Sequence, residues 1–550
     1  MRDHLLFSVN GARQRVEGGD ARLPLSTFLR ERLRLTGTKV VCAEGDCGAC
    51  SVLVARESSA GASAEPLDWQ PIDACITFLH QVDGCHLITV EGVPAAGGDD
   101  AATGPRADRS AQSHPPLHPV QTAMIERFGS QCGFCTPGFV VTLAAMAERA
   151  RRRGAERLEP AATRRGLNGN LCRCTGYLQI LEAAEAVPVA RCPPLDAGLD
   201  RRLRAELALA AGEEVRVEAP GSHDGSSHDG SSHDGSSHDG SSHDGAPGDG
   251  APGDGEAGDG EPAGDWVYLP TSLEAASAAL AADPRARPIA GATDLGVQHN
   301  KGRFDPGPRV QLGPRIPAFD RVEIASGRLR AGGGATWTSL LEAVRDEVPQ
   351  LAEILERFGA PQIRNLGTIG GNLANASPIA DSLPFLYVME AELELVGPGG
   401  RRTLPIETFY RGYKDIDLGR GELIAAIEVP LPAPGEVLRL RKLSRRFDLD
   451  ISSVTAAFRL SFAGERIDRA RLAFGGVGPT VLRAPRAEAA LAGQVLDLEL
   501  ARRAGRIARA EVTPITDVRG SEEYRARLVE RLFVELAHEL AAGPRIAAGG

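Results

Sequence analysis

At 550 residues the chain is too long for one hydrophobic core, and its hydrophobic content of 42% can fill three or four. A formal net charge of -11 argues against nucleic-acid and anionic-membrane partners, because it offers no broad basic surface to phosphate. Residues Met1 to Asn10 lack a basic leader with an apolar core, and no run of about 18 apolar residues occurs, so a cytoplasmic protein with no membrane partner is expected.

In chain order, Leu5 to Val9 and Gln14 to Glu17 read as a hairpin turning at Asn10-Gly11. Pro24 to Leu33 carries apolar side chains at helical spacing, with Ser26 or Thr27 as its cap. Cys42, Cys47 and Cys50 then spell C-x4-C-x2-C, and Cys75 supplies a fourth thiol. That is the spacing of a plant-type 2Fe-2S cluster. Gly45 and Gly48 suit a loop that must bring backbone N–H groups close to sulfur at positive φ. Zinc and disulfides are the alternatives, although zinc usually takes two C-x2-C knuckles and a reducing compartment disfavours disulfides. Ser51 to Ala55 reads as a strand leaving the loop, which completes a small α+β unit over residues 1–93.

Residues 94–116 are rich in Ala, Gly, Asp and Pro without a period and read as a linker. Helical pattern resumes at Pro119, and a second set of thiols follows as Cys132-x2-Cys135 and Cys172-x-Cys174, with helix-like stretches at Phe139–Arg151 and Gly176–Ala186. This predicts a helical unit over 117–195. Read alone, its quartet also suits zinc. Cys85 and Cys192 lie outside both sets and are expected to be structural or exposed thiols. Residues 196–264 are expected to be a flexible low-complexity linker, with Ser-His-Asp-Gly repeated five times from Pro220 on. As a coil it would reach roughly 35–40 Å, enough to cross a partner surface. His223, His228, His233, His238 and His243 are expected to be solvated, and Gly248–Gly253 matches G-x-G-x-x-G in name only, with no strand before it.

A new unit begins at Asp265-Trp266-Val267, with a helix capped at Thr271-Ser272. Two glycine-rich turns follow, Arg287 to Asp294 and Asn365 to Asn372, each placed to present backbone N–H groups to an anion. Beyond Ser453, strands and two helices ending in the Leu528, Leu532, Leu536, Leu540 face complete an α+β tail.

The quartets Cys42/Cys47/Cys50/Cys75 and Cys132/Cys135/Cys172/Cys174, in that order, resemble the iron-sulfur module of the molybdenum hydroxylases, the family of xanthine dehydrogenases and aldehyde oxidoreductases. The resemblance implies an α+β multidomain fold: a plant-ferredoxin-like 2Fe-2S domain, a helical-bundle 2Fe-2S domain, a non-Rossmann α+β FAD domain over 265–435 and an α+β C-terminal domain over 436–543. It also implies that Arg287, Pro288, Ile289, Ala290, Gly291, Ala292, Thr293 and Asp294, with Gly367, Thr368, Gly371, Asn372 and Asn375, hold the FAD diphosphate. Phe358 would lie against the flavin ring, Asp381 near the ribose or diphosphate, and Ile424 and Lys442 around the isoalloxazine. Tyr413 would cover the ring where NAD binds, Ser444 to Ile451 would be the family's charged loop, and Gln131 would sit beside a partner's pterin.

The function implied is electron transfer. A molybdopterin-binding large subunit would oxidise hypoxanthine or xanthine, and electrons would pass through two 2Fe-2S clusters to FAD and then to NAD, in a heterodimer of small and large chains that dimerises further. No side chain here is expected to be catalytic, since the chemistry belongs to the cofactors. The alternatives are another molybdenum hydroxylase acting on an aldehyde or N-heterocycle, a flavin redox adaptor without an NAD site, and a zinc-stabilised interaction protein.

Overall fold

The N-terminal hairpin forms as its residues dictate. Leu5–Val9 pairs with Ala12–Val16 with Val9 opposite Ala12, and Asn10 and Gly11 take φ of 51° and 77°, the signature of a two-residue I′ turn. The computed structural model describes residues 1–57, 66–95, 117–219, 264–304 and 307–542. Leu5–Val9 is buried along its whole length because its alternating side chains meet two layers. Leu5, Phe7 and Val9 enter the domain core, while Leu6 packs on Leu203 and Leu207. The five-stranded sheet has the order Ala12–Val16, Leu5–Val9, Cys85–Ile88, Ser51–Arg56, Gln70–Asp73, with the pairing of Leu5–Val9 to Cys85–Ile88 parallel. The helical stretch after Pro24 is one α turn, Leu25–Thr27, followed by a π turn, Phe28–Arg32. Neither Ser26 nor Thr27 caps it: Pro24 holds the N-cap position and Ser26 is buried within the turn.

The second unit consists of helices Pro119–Glu126, Thr136–Arg152, Pro160–Gly166 and Leu178–Ala186. Helix Thr136–Arg152 is apolar on two faces at 3.6 periodicity. Phe139, Val140, Leu143 and Ala147 fill the helical core, whereas Val141, Ala144 and Ala145 lie against Leu53, Ala55 and Trp69 of the first domain. The two cysteine-bearing domains are therefore packed on each other through this helix.

The linker expected over 196–264 is corrected in its first part. Asp200 caps a helix over Arg201–Gly212, and Val215–Ala219 forms a strand. Apolar residues at Leu203, Leu207 and Ala210 give that helix a buried stripe, which the low-complexity tract downstream obscured. Val215–Ala219 pairs antiparallel with Asp265–Leu269, and Ala219 is opposite Asp265. The repeats, with their histidines and the glycine motif, lie outside the described residues, as does most of the 94–116 linker. The residues that flank the repeats, Ala219 and Asp265, are register partners in that pairing.

Asp265–Leu269 continues into a four-stranded sheet with Arg309–Gln311 and Arg287–Ile289. A second, five-stranded sheet is built from Val322–Ala325, Arg328–Gly332, Leu423–Pro430, Glu392–Gly397 and Gly400–Pro405. The C-terminal domain is an antiparallel sheet from Val437–Leu443 to Leu482–Arg483, covered by Leu498–Arg509 and Glu522–Ala541. On the last helix Leu532 and Leu536 are buried, and Leu528 and Leu540 are half-buried against the same core. Among the described residues no helix is long and apolar enough to cross a membrane.

First and third units are joined by charge as well as by packing. Asp83 is wholly buried and accepts hydrogen bonds from Leu6 N (2.7 Å), from Arg2 Nη2 (2.8 Å) and from Arg315 Nη2 (2.6 Å). Burial alone would raise the carboxyl, but these cations outweigh it and hold it below its ordinary range. A group depressed in this way contributes stability that is present above its unfolded value and is lost as pH falls through the folded one.

Two outcomes follow from this architecture. Asp83→Asn should cost about 3–5 kcal/mol in chemical denaturation at neutral pH, the range for breaking a buried ion pair, and should flatten the loss of stability on acidification. Replacing residues 220–264 with Asn-Gly should leave iron and flavin content unchanged and hold or raise Tm, because a shorter loop costs less entropy to close. Insoluble protein from that deletion would contradict the hairpin.

Candidate cofactor sites

The first cysteine loop lies between the π turn and strand Ser51–Arg56. Gly45 and Gly48 have φ of 70° and 64°, and the Glu44 amide points at Cys42 Sγ at 3.4 Å. Cys42 is within hydrogen-bonding reach of Cys47 and Cys75, and Cys75 is within reach of Cys50. Crowding four thiols splits their acidities. Cys42 is held down by the Cys47 and Cys75 thiols beside it, whereas Cys75 is pushed far up by Cys42 and Cys50. A bound polyvalent cation would let all four be thiolates together.

In the second quartet Cys132 and Cys174 are exposed with their sulfurs 3.3 Å apart, while Cys172 is buried. Burial, with the nearby Cys172, pushes Cys135 up to about 12. Burial would also raise Cys172, but the Thr175 hydroxyl at 3.1 Å and amide at 3.4 Å outweigh it and bring this thiol down to about 7. Tyr177, at φ 72°, accepts the Cys172 amide on its hydroxyl. The sulfurs of the first quartet are linked in series, Cys47 to Cys42 to Cys75 to Cys50, and those of the second meet as Cys132 with Cys174 and Cys135 with Cys172. Tetrahedral zinc needs its ligands round one point, whereas a two-iron cluster shares four thiolates between two metals. Four thiols gathered in each quartet supply that ligand count.

The two loops touch through their backbones. Leu171 N donates to Cys47 O at 2.9 Å, and Asn170 Nδ2 donates to Gly48 O at 3.3 Å. A Cβ on Gly48 would come within 2.1 Å of Gly169 O, and one on Gly138 within 2.1 Å of Gly48 O.

The third site is a cavity of about 430 Å³, within the range of ligand sites. Pro288, Ala290, Gly291, Ala292, Thr293 and Asp294 line it from one loop, and Gly367, Thr368, Gly371, Asn372 and Asn375 from the other; Phe358 and Ile424 line it too. The loops meet closely enough that a Cβ on Gly291 would lie 1.9 Å from Leu366 O. Thr368 caps the helix Ile369–Asn375 by accepting Gly371 N at 3.1 Å. The glycine, Thr and Asn residues of the lining suit a diphosphate, and its apolar and aromatic residues suit a ring.

Four expected residues are elsewhere. Arg287 is exposed and Ile289 is buried in the sheet, because strand alternation turns both away. Asp381 and Lys442 do not line the cavity: they form a buried ion pair at 2.5 Å, with Ser452 Oγ donating to the other carboxylate oxygen. Tyr413 is 65% exposed and also absent from the lining. The Ser444–Ile451 loop is held by Arg357, which stacks over Phe447 at 4.6 Å and donates to its carbonyl. Gln131 is exposed beside Cys132. Cys85 and Cys192 are both buried.

Sequence reasoning missed Trp337, Phe319, Ile363 and Gln298 in the lining. Trp337 meets Phe358 with ring centroids 4.5 Å apart, and the Gly332-Gly333-Gly334 run just before it, of which Gly333 also lines the cavity, was the signal that could have found it. The first cysteine loop adjoins this cavity. Ile363 Cδ1 is placed 3.0 Å from where a Cβ on Gly45 would lie, and Asn300, on the helix that contributes Leu295 and Gln298, donates to Ala43 O at 2.8 Å and Cys75 O at 2.9 Å.

Four families match in the order of the domains: a 2Fe-2S iron-sulfur cluster binding domain over residues 7–80, a [2Fe-2S] binding domain over 107–185, the FAD binding domain in molybdopterin dehydrogenase over 261–432, and the CO dehydrogenase flavoprotein C-terminal domain over 439–540. Among curated relatives, xanthine dehydrogenase 2 of Arabidopsis thaliana is 28% identical over 89% of this chain and 36% of its own length. Xanthine dehydrogenase of Emericella nidulans is 30% identical over 90% and 35%, and aldehyde oxidase 2 of Rattus norvegicus 28% over 99% and 40%. The chain thus spans well under half the length of these relatives. Among solved structures, carbon monoxide dehydrogenase from Hydrogenophaga pseudoflava aligns at TM-score 0.47 and 29% identity, covering 49% of this chain and 94% of that one. Quinoline 2-oxidoreductase from Pseudomonas putida 86 aligns at TM-score 0.47 and 29% identity, covering 50% and 96%. With four matched domains in this sequence, the chain belongs to the molybdenum hydroxylase family, of which it carries the two iron-sulfur domains and the flavin domains.

Proposed function

We propose that this chain is the electron-relaying part of a xanthine-dehydrogenase-like enzyme. Cys132, Cys135, Cys172 and Cys174 hold one 2Fe-2S cluster, Cys42, Cys47, Cys50 and Cys75 hold the other, and the glycine-walled cavity holds FAD. A molybdopterin-binding partner oxidises hypoxanthine or xanthine, and NAD is the final acceptor. Bound together, the clusters and flavin supply conversion between one-electron and two-electron chemistry.

The observation that carries this reading is a gradient of exposure across three adjoining sites. Cys132 and Cys174 lie at the surface, flanked by exposed Phe134, Leu171 and Leu178, an apolar rim that a partner would cover. Cys47, Cys50 and Cys75 are buried one loop further in, against the helix that lines the cavity. Electrons entering at the exposed quartet would meet the buried one before the flavin. The chain's own residues supply amides, hydroxyls and burial: the Glu44 and Thr175 amides face ligand sulfurs, and Gly291 lets two loops close on an anion. An aldehyde as the electron donor is a second reading, supported by the 28% identity to rat aldehyde oxidase 2 over 99% of the chain.

The test is to copurify whatever binds the full chain and to measure iron, sulfide, flavin and molybdenum, then follow NAD reduction with hypoxanthine and with an aldehyde. Two irons per quartet, one FAD per chain and hypoxanthine-dependent NAD reduction are expected. Colourless, zinc-loaded protein would overturn the reading. Gly291→Ala should lower flavin content while iron is retained, because the added methyl displaces the Leu366 carbonyl without touching either quartet; loss of iron and flavin together would contradict that assignment.

A further inference from the structure

The flavin domain sends one side chain into the contact between the two cysteine loops. Gln362, on the short turn Pro361–Arg364, is completely buried. Its Nε2 donates to Ser51 Oγ at 3.2 Å and to Asn170 Oδ1 at 3.1 Å. Ser51 Oγ donates in turn to Gly48 O at 2.8 Å, and Asn170 Nδ2 to the same carbonyl at 3.3 Å. Both branches therefore converge on one acceptor. Their directions are mutually consistent: the single Ser51 proton has Gly48 O at 2.8 Å as a much nearer acceptor than Asp73 Oδ1 at 3.5 Å, and with the Asn170 amide also donating to Gly48, Ser51 Oγ and Asn170 Oδ1 are left as acceptors for Gln362.

The peptide that receives this convergence bears on the first quartet. Its carbonyl belongs to Gly48 and its N–H to Ala49, and the Ala49 amide faces the Cys47 sulfur. Gln362 is thus joined to a ligand sulfur by a continuous chain of donors. Hydrogen bonds in series polarise one another, so donors on the carbonyl strengthen the N–H at the other end of the peptide. Donors aimed at sulfur favour the more negative, reduced form of an iron-sulfur centre. Gln362 Oε1 has no partner and points to Gly169, where even a Cβ would lie 2.2 Å from it. A side chain chosen only as filler would leave no buried acceptor unmatched. The two donor bonds of the amide are what this side chain contributes to the contact.

We propose that Gln362 is a positioning residue for the first cysteine quartet, acting from the flavin domain through Ser51 and Asn170 on the Gly48–Ala49 peptide to raise the reduction potential at Cys47. The proposal rests on reading Cys42, Cys47, Cys50 and Cys75 as an iron-sulfur site.

The experiment uses the full chain with its cofactors. Wild type, Gln362→Leu and Ser51→Ala are compared by redox titration followed by electron paramagnetic resonance, with iron and flavin measured on each, and the signal lost in Cys47→Ala is assigned to the first cluster. In Gln362→Leu the midpoint of that cluster should move to lower potential, with the second cluster and flavin midpoints in place, and flavin reduction through the clusters should slow about tenfold, the lower end for outer partners of metal ligands. Ser51→Ala removes one of the two side-chain donors on the Gly48 carbonyl itself and should move the same midpoint further in the same direction, which keeps the test decisive if Gln362→Leu fails to assemble. Full iron and flavin with unmoved midpoints in either variant would reduce Gln362 to a domain contact and overturn the proposal. Wild type lacking iron would defeat the underlying assignment of the quartet instead, an outcome visible before any variant is compared.

Discussion

Backbone meets backbone where the two cysteine loops join, and the three sites take their arrangement from that contact. Gly48 lies against Gly169 and Gly138, and the Leu171 amide donates to the Cys47 carbonyl. Two loops can come this near only where Cβ atoms are absent from the interface. Any side chain at Gly48 would meet Gly169 O at about 2.1 Å and would also have to tolerate φ of 64°. The spacing between the quartets is therefore set by main-chain atoms, which hold a position better than flexible side chains do.

The first and third units are divided less sharply than their motifs suggest. Val215, Val217, Val267 and Leu269 share one hydrophobic cluster with Leu5, Phe7 and Val52. Asp83 of the first unit is neutralised by Arg315 of the third and by Arg2, with Glu213 on the outer side of Arg2. Buried charge of this kind is costly unless every partner is present. A shared core and a shared ion cluster tie the buried quartet to the cavity wall, which relay between fixed centres demands.

Burial also differentiates the two cysteine sites. The exposed pair Cys132 and Cys174 sits among apolar side chains that remain in contact with water, and Cys50 and Cys75 are enclosed by protein. Solvent exposure and hydrogen bonds to sulfur are the protein's levers on such centres, so quartets of identical ligand type are placed in different electrostatic surroundings. The cavity adds a third environment, lined by glycines together with the Trp337 and Phe358 rings.

The sequence by itself determined whatever depends on neighbours along the chain. Asn10-Gly11 specifies its turn, Ser272 and Ser521 cap their helices, and the cysteine spacings and glycine turns mark all three sites, because each of these is a local steric or ligand requirement. Only the tertiary structure decided what depends on contacts between distant segments. It paired Ala219 with Asp265 across two strands that the repeats separate in sequence, and it drew helix Arg201–Gly212 out of a supposed linker. It also turned Asp381 and Lys442 toward each other and brought Gln362 within reach of Ser51 and Asn170. Such partners lie tens to hundreds of residues apart, and no local periodicity or spacing encodes which distant donor a buried acceptor will meet.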